Sequence, residues 1–172
     1  MTRMMWHLSE ALRANASLMS LDLGGNCIGC NGAWYLFKAL KTNASPTCLK
    51  LSNNGIRSLG AWWLFEALKA NVSLKSLDIS QNYIGASAAL WLLRALKANT
   101  SLTSLNISRN YIGAGSALLL FEALKANTSL RRVFGACKLD HSLYPGSAEM
   151  EPAISVKKEA RSEAHEGGGL AV

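Results

Sequence analysis

Cys27-Ile-Gly-Cys30 has the two-residue gap of one half of a zinc site. A structural zinc needs a second Cys or His pair at a matching spacing. Neither Cys48, Cys137 nor the three histidines, His7, His141 and His165, supplies one, so no metal and no cofactor is expected. The histidines stand at the edge of the regular part of the chain or beyond it, whereas Ser, Asp and Cys recur at fixed intervals within it. No nucleophile and base can be paired on that pattern, and catalysis is disfavoured. Asn15, Asn43, Asn71, Asn99, Asn106 and Asn127 each open an Asn-x-Ser sequence, which accepts a glycan in a secreted chain. The opening residues 1–15, however, carry Arg3, His7, Glu10 and Arg13 where an export signal needs an apolar block. The preferred explanation is that an Asn ending a helix is followed, once per period, by a Ser opening a strand.

Two features could instead serve binding. Arg13, Lys41, Lys69, Lys97 and Lys125 form a basic column near predicted helix ends, where a cation complements the negative end of the helix dipole. No aromatic residues are interleaved with these cations as a base-stacking platform requires, so nucleic acid is an unlikely partner. Charge is uneven along the chain: up to Gly135 there are 14 Lys+Arg against 5 Asp+Glu, a net of +9, and the remaining residues have 4 against 6, a net of −2. No stretch approaches the roughly 18 uninterrupted apolar residues of a membrane span. A soluble, cytoplasmic protein is expected, with its cysteines reduced rather than bridged.

These residues are positioned by a strict repeat. Asn26, Asn54, Asn82 and Asn110 are spaced by 28 residues, as are Leu21, Leu49, Leu77 and Leu105, and Ile28, Ile56, Ile84 and Ile112. Within a unit, Leu77 and Ile79 alternate as in a short strand. Ala89, Leu92, Leu93 and Leu96 then gather on one side of a helix. Asn15, Asn43, Asn71, Asn99 and Asn127 are predicted to stop the helices through the left-handed conformation that Asn tolerates. A strand, a helix and a return to a parallel strand, repeated, stack into a solenoid. Asn26, Asn54, Asn82 and Asn110 then read as an internal ladder that satisfies backbone groups where each strand turns out.

The pattern Leu74-x-x-Leu77-x-Ile79-x-x-Asn82 resembles the leucine-rich repeat, and the 28-residue period with its Gly-Ala-x-x-Leu-x-x-Ala-Leu helix is similar to the ribonuclease-inhibitor-like subfamily. The resemblance spans about Trp6 to Gly135. It implies an α/β horseshoe with a parallel β-sheet on the concave face and α-helices on the convex face. The chain divides accordingly into a repeat array over 1–135, with partial first and last units, and a tail over 136–172 expected to be disordered.

The pattern also departs from itself. Pro46 replaces the leucine of Leu18, Leu74, Leu102 and Leu130, and Arg57 replaces the glycine of Gly29, Gly85 and Gly113, so local loosening is expected in the second unit. His7 and Ser9 replace Tyr35 and Phe37 and read as a weak polar cap. Lys138 and Asp140 stand where Asn and Ile belong, so the repeat breaks there.

Two surfaces emerge as candidates. The helix exteriors carry Trp34-Tyr35, Trp62-Trp63 and Leu90-Trp91, so Trp34, Trp62, Trp63 and Trp91 either pack between helices or leave an apolar interaction stripe. The outward strand positions are small and polar, with a rim bearing Tyr83, Tyr111 and Arg109, residue types enriched at binding hot spots. There Tyr83 and Tyr111 are the expected anchors, Asp78 and Asn106 the orienting polar groups, and Lys50 and Arg132 the flanking charges. The resemblance implies an intracellular protein–protein interaction module or scaffold, such as the sensor region of nucleotide-binding leucine-rich-repeat receptors. The alternatives are a small-GTPase regulator of the Ran GTPase-activating type and a fragment of a longer repeat receptor without independent function.

Overall fold

The computed structural model describes residues 2–135, and the expected tail, with Cys137, Lys138, Asp140, His141 and His165, lies outside the described residues. Five helices and five strands alternate: α1 (Thr2–Ala14), β1 (Ser20–Asp22), α2 (Gly29–Thr42), β2 (Cys48–Lys50), α3 (Arg57–Ala70), β3 (Ser76–Asp78), α4 (Ala89–Ala98), β4 (Ser104–Asn106), α5 (Ala117–Ala126) and β5 (Arg132–Phe134). The strands form one parallel sheet in chain order, and each pairs with the next at an offset of 28 residues, as in Leu49↔Leu77 and Leu77↔Leu105. Consecutive helices pack side by side on the other face. The core between the two layers is made of the periodic columns: Leu49, Leu77 and Leu105, then Leu51, Ile79 and Ile107, then Ile56, Ile84 and Ile112, are all buried.

A three-residue strand offers few ladder bonds, and the asparagines supply the rest. Each of three amides bridges its own unit and the preceding one. Asn82 Nδ2 donates to Leu51 O at 2.8 Å and Ile79 O at 3.0 Å, while its Oδ1 accepts from Asn54 N at 2.9 Å and Ile56 N at 3.3 Å. Asn54 and Asn110 repeat the arrangement. Asn26 departs from the expected internal ladder: it is exposed, and its amide donates to Gly24 O in its own turn, beside β1 at the edge of the sheet among the described residues.

The helix-ending asparagines form a second ladder through their side chains, in place of the expected left-handed backbone. Asn43, Asn71, Asn99 and Asn127 are extended rather than left-handed, with φ between −91° and −78°. Their side chains explain their presence. Asn99 Nδ2 donates to Leu68 O at 2.7 Å and Asn71 O at 2.9 Å, and its Oδ1 accepts from Ser101 N at 3.1 Å and Leu102 N at 2.8 Å. Asn43, Asn71 and Asn127 use their amides in the same way. These four buried amides are committed to carbonyls, which accounts for the recurring Asn-x-Ser sequences without glycans.

Pro46 removes one donor from this second ladder. Asn43 Oδ1 accepts from Ser45 N at 2.6 Å, but where Asn71 and Asn99 also accept from Leu74 N and Leu102 N, Pro46 has no N–H to give. The expected loosening goes no further than that: β2 keeps its register with both neighbours. Arg57 adopts the left-handed backbone of Gly29, with φ of 60° against 65°, and its N–H bonds Asn82 O at 2.8 Å as Gly29 N bonds Asn54 O at 2.9 Å.

Units differ at the start of the helix, and a single column accounts for the difference. At Gly60 an added Cβ would lie 2.5 Å from Ile56 Cγ2 and 3.0 Å from the Cys30 Cα, and at Gly32 it would lie 2.4 Å from Ile28 Cγ2. The equivalent positions are Ala88 and Ser116. With a Cβ present the helix cannot open so early, and these units enter through 3-10 turns, Ala86–Ala88 and Ala114–Ser116, before shorter helices.

Of the expected polar cap on α1, His7 is exposed but Ser9 is buried with its hydroxyl donating to Trp6 O at 2.8 Å, and Met4 and Trp6 are exposed beside it. The helix-face tryptophans are half-buried against one another rather than forming an exposed stripe: Trp62 lies 4.2 Å from Trp63 and 6.4 Å from Trp91, Phe37 lies 5.6 Å from Trp63, and Trp34 packs on Tyr35 at 4.9 Å with Lys38 Nζ over its ring.

Two stability measurements check these assignments. Asn99→Gly, which a left-handed cap would tolerate, should lower the unfolding free energy by about 1–3 kcal/mol in urea titrations because it orphans buried carbonyls and amides. Gly60→Ala, favoured by helix propensity alone, should instead destabilise by about 1–3 kcal/mol through overpacking against Ile56 and Cys30. A gain in stability for either variant would refute the corresponding argument.

Candidate functional site

The outward row of the sheet runs Asp22, Lys50, Asp78, Asn106 and Phe134 across β1 to β5. Its polar groups largely satisfy one another. Lys50 Nζ is 3.2 Å from Asp22 Oδ2, and Asn106 Nδ2 donates to Asp78 Oδ2 at 3.0 Å. Asp78 Oδ1 also accepts from Ser80 N and Oγ, at 2.9 and 2.7 Å. Asp78 and Asn106 thus form one unit, and Lys50, which stands beside Asp78 in the sheet, is tied to Asp22. Arg132 stands beside Ser104 on β5, exposed and without a carboxylate neighbour among the described residues.

The Asp22 carboxyl is held below the ordinary aspartate range, chiefly by the Gly24 N–H it accepts at 3.0 Å and then by Lys50. A carboxyl lowered in the folded state contributes stability above its unfolded pKa, and that contribution is lost as pH falls through the folded value.

A different geometry exists at the rim, in the loops that leave the carboxyl ends of the strands. Tyr83 and Tyr111 occupy the same column of successive units, and a parallel bridge between Gly85 and Tyr111 holds their loops together. Their rings stack at 5.9 Å with an angle of 22°, and both side chains remain more than half exposed. Beside Tyr83 an open groove of about 530 Å³ is lined by Arg57, Ser58, Leu59, Tyr83 and Gly85. Its wall is pinned where Gly85 N donates to Ser58 Oγ at 2.9 Å. Leu59 is 55% exposed, an apolar floor with nothing over it.

Tyr83, Tyr111 and Arg109 are legible in the sequence as rim residues, whereas Arg57, Ser58 and Leu59 are not. Arg57 was visible only as a broken glycine column, and the neighbourhood of Leu59 and Tyr83, 24 positions apart, follows from stacking of units. The helix face offers less. Arg13, Lys69 and Lys125 of the basic column pair with Glu10, Glu66 and Glu122 one turn back, which supports the helix-end reading of that column. Among the described residues no three His, Cys, Asp or Glu side chains come together, Cys27, Cys30 and Cys48 are free thiols, and no helix is long and apolar enough to cross a membrane.

A 28-residue unit of one short strand and one helix, stacked with two asparagine ladders, defines a leucine-rich-repeat α/β solenoid. The Leucine Rich repeat family profile matches residues 14–36, 70–90 and 98–121. Among solved structures the chain is similar to leiomodin-1 actin-binding site 2, at 23% identity and a TM-score of 0.69, covering 79% of each chain. It is also similar to the tropomodulin C-terminal domain of Caenorhabditis elegans, at 18% identity and a TM-score of 0.70, covering 81% of this chain and 86% of that one. No curated protein sequence matches.

The ion pair at the sheet edge is directly measurable. In an NMR pH titration the Asp22 carboxyl should titrate below the ordinary aspartate range, and Lys50→Ala should raise it part of the way back, since the Gly24 hydrogen bond remains. An unchanged value in the variant would remove Lys50 from the account.

Proposed function

We propose that this chain is a protein-binding module that holds its partner at the loop rim, and that it is not an enzyme. The single observation that carries the reading is the exposed Tyr83–Tyr111 stack beside the Arg57–Leu59 groove. Tyr and Arg bury large contact areas at little entropic cost, and a preformed stack spends none of the binding energy on ordering itself. The solenoid supplies the rigidity, because the Tyr83 loop is anchored by Asn82 of its own unit and by Asn110 of the next, and the Tyr111 loop by its own Asn110. The ribonuclease-inhibitor-like form of the repeat is supported by the 28-residue period and the full helices of α2 and α3. Leiomodin-1 carries an actin-binding site on a similar fold, which supports protein recognition as a use of this scaffold.

The site residues divide on this reading. Tyr83 and Tyr111 are the anchors, Arg109 and Arg57 are flanking cations, and Leu59 takes an apolar side chain. Asp78 and Asn106 form a polar floor further along the sheet face, with Lys50 and Arg132 at its borders.

Affinity capture with the full chain from cells of its source tests the proposal. Tyr83→Asn/Tyr111→Ala, in which Asn suits the left-handed backbone at position 83 (φ 57°), should lose a bound protein that wild type and a helix-face variant, Lys97→Ala, both retain, at an unchanged melting temperature. Retention of the same partners by the double variant would move the binding site off the rim.

A further inference from the structure

We infer that the rim groove takes an extended acidic segment of the partner, with one apolar side chain seated on Leu59 between Arg57 and Tyr83 and carboxylates held by Arg57 and Arg109. This rests on the binding-module reading above and specifies the chemistry of its partner.

Charge complementarity carries the inference. Every carboxylate among the described residues already has a local partner. Glu10, Glu66 and Glu122 pair within their own helices, Asp22 pairs with Lys50, and Asp78 accepts from Ser80 and Asn106. Arg57 and Arg109 have no carboxylate within reach among the described residues. They stand on the loops that carry the groove and the tyrosine stack. A guanidinium beside an exposed leucine and two rings matches a segment that alternates carboxylate and apolar side chains, since Arg offers paired donors to a carboxylate and its stem packs on apolar groups.

The backbone fixes where these side chains stand. Arg57, Tyr83 and Arg109 have φ values of 60°, 57° and 54°, in the left-handed region that favours glycine. The turn is a property of the repeat, shared by Gly25, Cys27 and Gly29 of the first unit and by Asn53, Gly55 and Gln81. Each of the three side chains is therefore presented at the rim under the same local strain.

The strain also makes the test clean, because glycine removes the charge and relaxes the backbone together. Anisotropy titrations of the full chain would use a labelled Glu-rich dodecapeptide centred on one Phe, its Gln-rich counterpart, and a single-stranded oligonucleotide. The acidic peptide should bind, should weaken as salt rises, and should lose about tenfold in affinity in Arg57→Gly and again in Arg109→Gly, while melting temperatures hold or rise. Equal binding of the neutral peptide, or unchanged affinity in both glycine variants, would overturn the inference. So would tighter binding of the oligonucleotide with the same dependence on Arg57 and Arg109, which would assign the groove to nucleic acid. If partner capture depends on Tyr83 and Tyr111 while the acidic peptide fails to bind, this inference falls and the binding-module reading stands.

Discussion

The structure depends on asparagine amides that join each unit to the one before it. A strand of three residues makes too few ladder bonds to hold two units together, and a backbone that turns from strand to loop to helix leaves donors and acceptors buried at every corner. An amide side chain is suited to such a corner because it donates and accepts at once. At the carboxyl end of the strands Asn54, Asn82 and Asn110 perform this task, and at the entry to the strands Asn43, Asn71, Asn99 and Asn127 perform it again. Among the described residues no buried side-chain nitrogen or oxygen lacks a partner, so the polar network inside the solenoid closes. Its reach of 28 and 31 residues along the chain makes the period a physical requirement, since insertion of one residue would misplace both ladders.

Within that constraint, steric space at one column sets the form of the rim. Where the column is glycine the helix begins early, close against the preceding unit, and Gly29 and Arg57 are drawn into the left-handed turn that bonds the next asparagine carbonyl. Where it is Ala88 or Ser116 the entry becomes a 3-10 turn. The groove lies at the junction between the two forms, with Arg57 to Leu59 from a glycine-type unit and Tyr83 to Gly85 from an alanine-type unit. A solenoid of identical units would have no such place.

Charge follows a similar division of labour. Among the described residues the glutamates lie on helices, each one turn before a cation, and pairs of this kind contribute only about 0.2–0.5 kcal/mol apiece. They leave the loop and sheet side, among the described residues, with only Asp22 and Asp78 as carboxylates, and cations in excess. The tryptophans are likewise consumed by the fold. Trp62, Trp63 and Trp91 pack on one another at tilted angles and are half-buried, and the large apolar side chains exposed on the described helices are Met4, Trp6, Leu59 and Leu90.

Periodicity alone determined the fold class, the unit length, the parallel order of the strands and the core columns, because a side chain that recurs every 28 residues must meet its copies in the adjacent unit. It also located Asn54, Asn82 and Asn110 as an internal ladder, though not the exposed Asn26, since a polar column among apolar ones has to be satisfied internally. Three things were decided only in the tertiary structure. Asn99 and its column were legible as helix ends but not as a ladder, because their acceptors lie 28 and 31 residues away and become neighbours only after stacking. Lys50 was legible as a charge but not as a spent one, since its pairing with Asp22 depends on strand register. The groove was not legible at all: it joins Leu59 to Tyr83 across two units of different helix entry, and that difference arises from the space a single Cβ needs.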